Sequence, residues 1–405
     1  MRQHRAVSIM AAPLLDFDDT ETAFARLSYS DLKRTVFLLN ILRRPWLARM
    51  AQATGRLGLA TRLPMIPWAI KRMVFDIFCG GTTLEEAGNT AASLAVEHVG
   101  CILDQAIENQ SNEVARDRAF NGLYVSIEAI SGWYGFSSCA VKASAIQDVE
   151  LLARIQQGEV LQGADLAQYE RGCARLTMLA EAASRYGVVL LVDAEESWFQ
   201  KPVDAQVRVL MAKYNRHRAL ICMTIQSYLR ECEKIYAAEV EEARIGGYLL
   251  GIKLVRGAYL EKERQHAKSK GLPDPTQSSK AHSDEAFDRI AIMALSQRSR
   301  VSLCVASHNE ASIRKIVGRM GELEIPLDDP NIWFAQLYGM VDHVTFALAR
   351  AGLRVAKYLP YGSVRDAFPY LIRRAEENRS VIEHTDRQVA LIERELLRRS
   401  RLAAG

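Results

Sequence analysis

The chain has 405 residues, 49% of them hydrophobic and 25% charged, which is enough apolar material for a sizeable core in an ordinary globular protein. A net charge of +4, with acids and bases interspersed, argues against a nucleic-acid partner. Seven cysteines are scattered without a CxxC pair, which fits reduced thiols and gives no zinc spacing. No apolar run reaches the roughly 18 residues of a membrane span.

Taken in order, residues 1–16 read as a disordered tail. Arg2, His4 and Arg5 precede a short apolar patch broken by Pro13, and Asp16, Asp18 and Asp19 follow; a targeting peptide is the alternative. Residues 17–95 read as a helical region. Asp18 or Asp19 can cap its first helix, and Ser30 or Asp31 the next. Residues 35–50 mix Val36, Phe37, Leu38, Leu39, Ile41, Leu42, Trp46 and Leu47 with Arg43, Arg44 and Arg49, and Lys33 and Arg34 stand just before them. That pattern packs on the rest of the protein or, as the rival, lies on a membrane surface. Residues 65–70, with Trp68, read as core. Gly80 and Gly81 break the pattern, and Thr82 or Thr83 with Glu85 or Glu86 forms a capping box for a helix to about Val96.

A different rhythm occupies residues 96–397. Short apolar, β-branched runs recur at 99–104, 139–142, 188–193, 219–226, 249–255, 301–307, 332–336 and 353–358. Segments with helical spacing separate them. Near-continuous apolar strands alternating with helices mean a parallel sheet covered on its faces. Eight such units predict an α/β protein of the closed (β/α)8 TIM-type barrel, with residues 398–405 as a tail. Active sites in such barrels lie at the carboxyl ends of the strands. Those ends carry Asp104 to Glu108, Lys142, Asp193 with Glu195 and Glu196, Gln226, Lys253 to Tyr259, Ser307 to Asn309, Gln336 to Gly339 and Tyr358 to Gly362. Lys142 and Lys253, set in apolar runs, need partners, and Asp193 is placed to meet one. A lone strand-end aspartate is commonly a turn or helix cap; convergence of so many such ends favours an active site. Residues 265–282, with Pro273 and Pro275, read as a polar surface excursion or mobile flap.

Past the last strand, residues 369–378 read as a helix opened by Pro369. Its i, i+3, i+4, i+7 stripe is Tyr370, Arg373, Arg374 and Glu377 rather than apolar residues. Two adjacent guanidiniums suit a carboxylate or phosphate, and Glu377 can hold Arg373. A solvated, ion-paired helix face is the plainer reading of this stretch by itself.

Together these motifs resemble the proline dehydrogenase family. They are Val192-Asp-Ala-Glu-Glu196, Lys253-Leu-Val-Arg-Gly-Ala-Tyr-Leu260, Ser307-His-Asn309, Leu337-Tyr-Gly-Met340 and Tyr370-Leu-Ile-Arg-Arg-Ala-Glu-Glu-Asn378. They occur in the family's order, and the likeness covers about residues 75–385. The resemblance implies oxidation of L-proline to Δ1-pyrroline-5-carboxylate, with non-covalent FAD held by the barrel itself; no GxGxxG opens a helix after a strand.

On this resemblance Arg373, Arg374 and Lys142 clamp the substrate carboxylate, while Glu377 and Asp193 hold the arginines, and Glu108 joins the network as a lid contact. Tyr358, Tyr370 and Leu337 pack on the pyrrolidine ring. Lys253 lies beside the flavin N5, and Gln226 bonds the pyrimidine edge. Val255, Gly257 and Ala258 let the backbone approach the cofactor, and His308 and Asn309 contact its adenosine diphosphate half. Arg256 reaches the pyrophosphate or is a solvated strand-end charge. No side chain is assigned as base for the amine proton, and water can serve.

The family further implies electron transfer to a membrane quinone, so a cytoplasmic protein with peripheral membrane contact at residues 35–50 or near Trp68. It also implies a separate NAD-dependent pyrroline-5-carboxylate dehydrogenase, since a fused aldehyde dehydrogenase domain would add hundreds of residues. Rival readings are 4-hydroxyproline oxidation on the same scaffold, which a bulky Tyr358 disfavours, a non-redox barrel binding a phosphorylated ligand, and a catalytically silent assembly protein.

Overall fold

A computed structural model describes residues 15–42, 75–133, 137–364, 367 and 382–404. The apolar runs form eight parallel strands: β1 (Val99–Gln105), β2 (Ser137–Lys142), β3 (Val189–Asp193), β4 (Ile221–Gln226), β5 (Leu250–Val255), β6 (Val301–Ala306), β7 (Ile332–Leu337) and β8 (Val355–Tyr361). Each pairs with its neighbour in sequence, and β8 returns to β1, closing a barrel. The expected TIM-type architecture is therefore correct. β8 runs past 358 because it stays paired with β1 as far as Gln105↔Tyr361.

Helices precede the barrel. Asp19 caps α1 (Thr20–Phe24) by accepting from Thr22 N, and α2 (Tyr29–Leu42) follows. Thr83 caps α3 (Leu84–Val96), while Glu86 reaches back to Thr82 N at 2.6 Å, a capping box moved by one residue. The crossovers include α4 (Glu113–Ile130), α5 (Gly163–Tyr186), α6 (Ser197–Tyr214), α7 (Cys232–Gly246), α8 (Leu260–Lys270), α9 (Lys280–Ser296), α10 (Glu310–Glu322) and α11 (Asp342–Arg350). The terminal helix α12 (Ile382–Ala404) packs against α1 and α2, and its Arg399 donates to the carbonyls of Phe24 and Leu27.

Several sequence expectations change here. Leu15, placed in the disordered tail, is buried, and residues 1–14 lie outside the described residues. α12 runs through 398–404, where a tail was expected. The 265–282 excursion is half helix: α8 continues to Lys270 and α9 begins at Lys280. Of residues 35–50, those up to Leu42 belong to α2, which buries Leu38 and Leu39 against the protein; residues 43–50 and 65–70 lie outside the described residues. Among the described residues no helix is long and apolar enough to cross a membrane.

Strand alternation then sorts the side chains into two layers. One set, including Leu103, Val141, Leu190, Ile225, Leu254, Val305, Phe334 and Leu359, joins the core between strands and helices. The other fills the barrel interior with Ile102, Ala140, Leu191, Cys222, Cys304, Trp333, Ala335 and Ala356. Counting two residues toward the carboxyl ends from this interior layer gives Asp104, Lys142, Asp193, Thr224, Ala306, Leu337 and Tyr358. The same pleat that builds the inner core therefore aims these groups at the top of the barrel.

Candidate active site

A cavity with about 1130 Å³ of empty space, partly open to solvent, lies at the strand ends. Lys142, Asp193, Gln226, Lys253, Val255, Gly257, Ala258, His308, Asn309, Leu337 and Tyr358 all line it. These are the described residues that the sequence assigned to substrate and cofactor. Tyr370, Arg373, Arg374 and Glu377, with the whole expected helix 369–378, lie outside the described residues.

At the floor of the cavity, two buried lysines share two acids. Lys142 and Lys253 are 5% and 6% exposed, so each ammonium needs a counter-charge. Lys142 Nζ donates to Asp104 Oδ1 at 2.7 Å and lies 4.0 Å from Asp193. Lys253 Nζ donates to Asp193 Oδ1 at 2.6 Å, while Tyr358 Oη donates to Asp193 Oδ2 at 2.7 Å. The Tyr358 ring is also a cation–π partner of Lys253, 4.5 Å from ammonium to centroid. Register places the pair: Lys142 and Asp193 face each other across β2 and β3.

Burial alone would raise the Asp193 carboxyl. The charges of Lys253 and Lys142, with hydrogen bonds from Lys253 and Tyr358, hold it below the usual aspartate value. Burial likewise disfavours charge on Lys142, but Asp104, Asp193 and Glu108 raise it above the ordinary lysine value. Asp193 is thus tied to the two lysines and Tyr358; the arginines it was also expected to hold lie outside the described residues. Asp104, read from sequence only as one strand-end residue among several, emerges as the close partner of Lys142. Nothing in the sequence gives the β1–β2 register that brings them together.

The rest of the cavity carries groups suited to a large anionic cofactor. Gly257 sits at φ +118°, and a Cβ there would fall 1.6 Å from the Tyr228 ring. Only glycine lets the chain pass between Tyr228 and the cavity. Arg256 and Lys280 both line the cavity and share one acid, Asp284. Two cations against one carboxylate leave net positive charge, as a pyrophosphate would need. Arg256 also donates to Ser307 Oγ at 2.7 Å and Ser312 Oγ at 2.9 Å, and its guanidinium lies over the Phe287 ring. It is therefore an anchored wall of the cavity rather than a solvated charge. These residues fit FAD, with Val255, Ala258 and Ala306 as apolar surface.

Two expected cofactor contacts have structural work as well. Gln226 Nε2 donates to the Glu195 carbonyl at 2.8 Å, and Asn309 Oδ1 caps α10 by accepting from Ser312 N at 3.0 Å. His308 Nε2 accepts the Leu337 N–H at 3.0 Å, which fixes its neutral tautomer with the proton on Nδ1. Leu337 and His308, which both line the cavity, are thereby joined.

Glu195 is a buried acid that the sequence named without a role. It accepts from Ser144 N at 2.9 Å and Ser144 Oγ at 2.6 Å, and burial pushes its carboxyl up to about 7 despite those bonds. An acid raised on folding stabilises the fold while protonated. Its contribution is fully present below the ordinary value of 4.5 and is lost as pH rises through about 7. The Glu195→Gln variant stays neutral, so its melting temperature should fall less than wild type's between about pH 5 and pH 8. Thermal melts across that range test this; parallel curves would refute it. Among the described residues no cluster of histidine, cysteine or acid is arranged to hold a metal.

Comparison with known proteins agrees with this geometry. The family model described as proline dehydrogenase matches residues 87–387. The carbapenem antibiotics biosynthesis protein CarD of Pectobacterium carotovorum is 33% identical over 327 residues, covering 81% of this chain and 85% of that protein. Human mitochondrial proline dehydrogenase 1 is 38% identical over 254 residues, 62% of this chain and 41% of that one. Human hydroxyproline dehydrogenase is 40% identical over 233 residues, 56% and 50%. This chain thus aligns with about half or less of those two longer relatives. A crystal structure of proline utilization A from Bdellovibrio bacteriovorus superposes with a TM-score of 0.70 at 20% identity, over 90% of this chain and 38% of that one, a likeness of fold. With a closed barrel, a charged cavity at its strand ends and a family match across most of its length, the chain belongs to the proline dehydrogenase family.

Proposed function

We propose that the protein oxidises L-proline to Δ1-pyrroline-5-carboxylate with non-covalent FAD, by loss of a hydride from C5 and a proton from nitrogen. When bound, FAD supplies the hydride acceptor. The observation that carries the reading is the Lys142–Asp193–Lys253–Tyr358 cluster at the floor of the cavity, in a chain of this family. Lys253 brings a cation to the wall assigned to the flavin, where negative charge on the reduced cofactor would be stabilised. Lys142 offers its ammonium to the substrate carboxylate.

Charge bookkeeping supports the arginine clamp. Lys142 and Lys253 are balanced by Asp104 and Asp193, so the floor is neutral before substrate arrives. An incoming carboxylate needs further positive charge, and Arg373 and Arg374 supply it, with Glu377 holding them. Tyr358, Tyr370 and Leu337 exclude water from the ring, and water takes the amine proton. Electrons pass to a membrane quinone from a cytoplasmic, peripherally attached protein, and a separate dehydrogenase takes the pyrroline product on.

Relatives include both proline and hydroxyproline dehydrogenases, so similarity alone does not choose. Tyr358 favours proline: its ring is buried and its hydroxyl is pinned on Asp193, leaving little room for a 4-hydroxyl. The test is anaerobic mixing of the yellow protein with each amino acid. L-Proline should bleach the flavin absorbance at far lower concentration than 4-hydroxyproline. A colourless preparation would end the flavoenzyme reading, and equal bleaching would end the preference.

A further inference from the structure

Lys357 is the one fully buried ammonium on β8, 0% exposed among the described residues, and it points away from the cavity. Tyr358 faces the barrel interior, so Lys357, one residue earlier, faces the helices. A buried ammonium is costly, and burial holds it below the ordinary lysine value even though Asp342 opposes this. What it gains from one turn is two carbonyl acceptors, Met340 O at 2.6 Å and Leu337 O at 3.3 Å, and an ion pair with Asp342 Oδ1 at 2.7 Å. The ammonium is thus tied by two hydrogen bonds and an ion pair to the chain between β7 and the start of α11.

That turn needs holding. Gly339 has φ +75°, and Val341 has φ +43°, a conformation that a β-branched residue rarely adopts. Such geometry persists only where the surroundings impose it. A second clamp comes from α12: Gln388 Oε1 accepts Val341 N–H at 3.3 Å, and its Nε2 donates to Gly339 O at 3.3 Å. The turn begins at Leu337, which lines the cavity and donates its N–H to His308. Displacing the turn would therefore shift both the apolar contact on the substrate side and the histidine on the cofactor side.

We infer that Lys357 and Gln388 are positioning residues, which hold the strained 338–341 turn so that Leu337 and His308 keep their places in the cavity. This explains why a cation lies on the outer face of a core strand, and it gives the C-terminal helix a part in shaping the site. The inference rests on the substrate reading above only where kinetics are used.

The test uses the flavin-loaded protein with two variants, Gln388→Leu and the double variant Lys357→Met with Asp342→Asn. The double change removes both members of the Lys357–Asp342 pair together; Arg26, 3.8 Å from Asp342, loses that contact but keeps its place over the Phe346 ring. Misplacement of a contact by an ångström can cost about a hundredfold. Each variant should therefore raise the KM for L-proline by about tenfold or more, with a smaller change in kcat and flavin content retained. Deuterium uptake should quicken in peptides covering 337–342 and stay unchanged in the other strands. A folded variant with wild-type KM and wild-type uptake at 337–342 overturns the inference. Should the double variant not fold, Gln388→Leu decides alone. Should the wild type not be bleached by proline, the substrate reading falls and the uptake measurement decides.

Discussion

Asp193→Asn should lower kcat/KM for L-proline by about two orders of magnitude or more while the barrel stays folded. The carboxylate accepts from Lys253 at 2.6 Å and from Tyr358 at 2.7 Å and lies 4.0 Å from Lys142. An amide has one acceptor oxygen, and its NH2 would face a hydroxyl or an ammonium that can no longer be satisfied. Losing the charge also leaves two buried lysines with Asp104 as the close counter-charge and Glu108 as a more distant one. Breaking a buried pair on one side costs about 3–5 kcal/mol, equivalent to more than a hundredfold in an equilibrium or rate. Part of that cost will appear as a lower melting temperature and part as a misplaced Tyr358 and Lys253. Steady-state kinetics with flavin content measured on the same sample separate the two. Near-normal turnover in Asp193→Asn would show that the acid does not organise the site.

Gly257→Ala should abolish tight flavin binding. The alanine Cβ would land 1.6 Å from Tyr228 Cδ1 and Cε1, at φ +118°. Tyr228 has little freedom to retreat: its ring is 3% exposed, its N–H donates to Arg256 O at 2.8 Å, and its hydroxyl donates to Glu263 Oε1 at 3.3 Å. Backbone strain of about 1–3 kcal/mol adds to an overpacking cost of about 1–3 kcal/mol. The segment that must yield is 256–259, which lines the cavity. Together these weaken cofactor binding by about a hundredfold or more. Flavin titration into the apo-variant measures the effect directly, and wild-type affinity would mean that 257 is not a close-approach point.

Much of the barrel could be read from the chain because each strand is a short apolar run closed by a polar residue. Lys142, Asp193, Gln226 and Lys253 stood out for the same reason, as charged or amide groups ending runs that otherwise avoid them. The partners were less legible. Asp193 was expected to meet a buried lysine and does, but which lysine, and that Tyr358 joins them, came only from the fold. Residues 265–270 looked like loop because α8 is so polar, burying only Glu263 and Ala267, yet they are helical. Glu263 holds that helix in place, accepting from Ser197 N and Ser197 Oγ at 2.6 Å each. Helical periodicity of apolar residues cannot find a helix that docks through a carboxylate.

Local order therefore determined the kind of structure and which residues are candidates for its chemistry. Alternation along a strand, a glycine pair before a capping box and charges at strand ends are all short-range features. Closure of the barrel decided which of those residues meet: Lys142 with Asp104, Asp193 with Lys253, Lys357 with the 338–341 turn. Those contacts span 38, 60 and about 17 positions in the chain. Their choice depends on strand register and on which face each side chain takes, and a buried ion is tolerated only where that packing supplies its opposite charge.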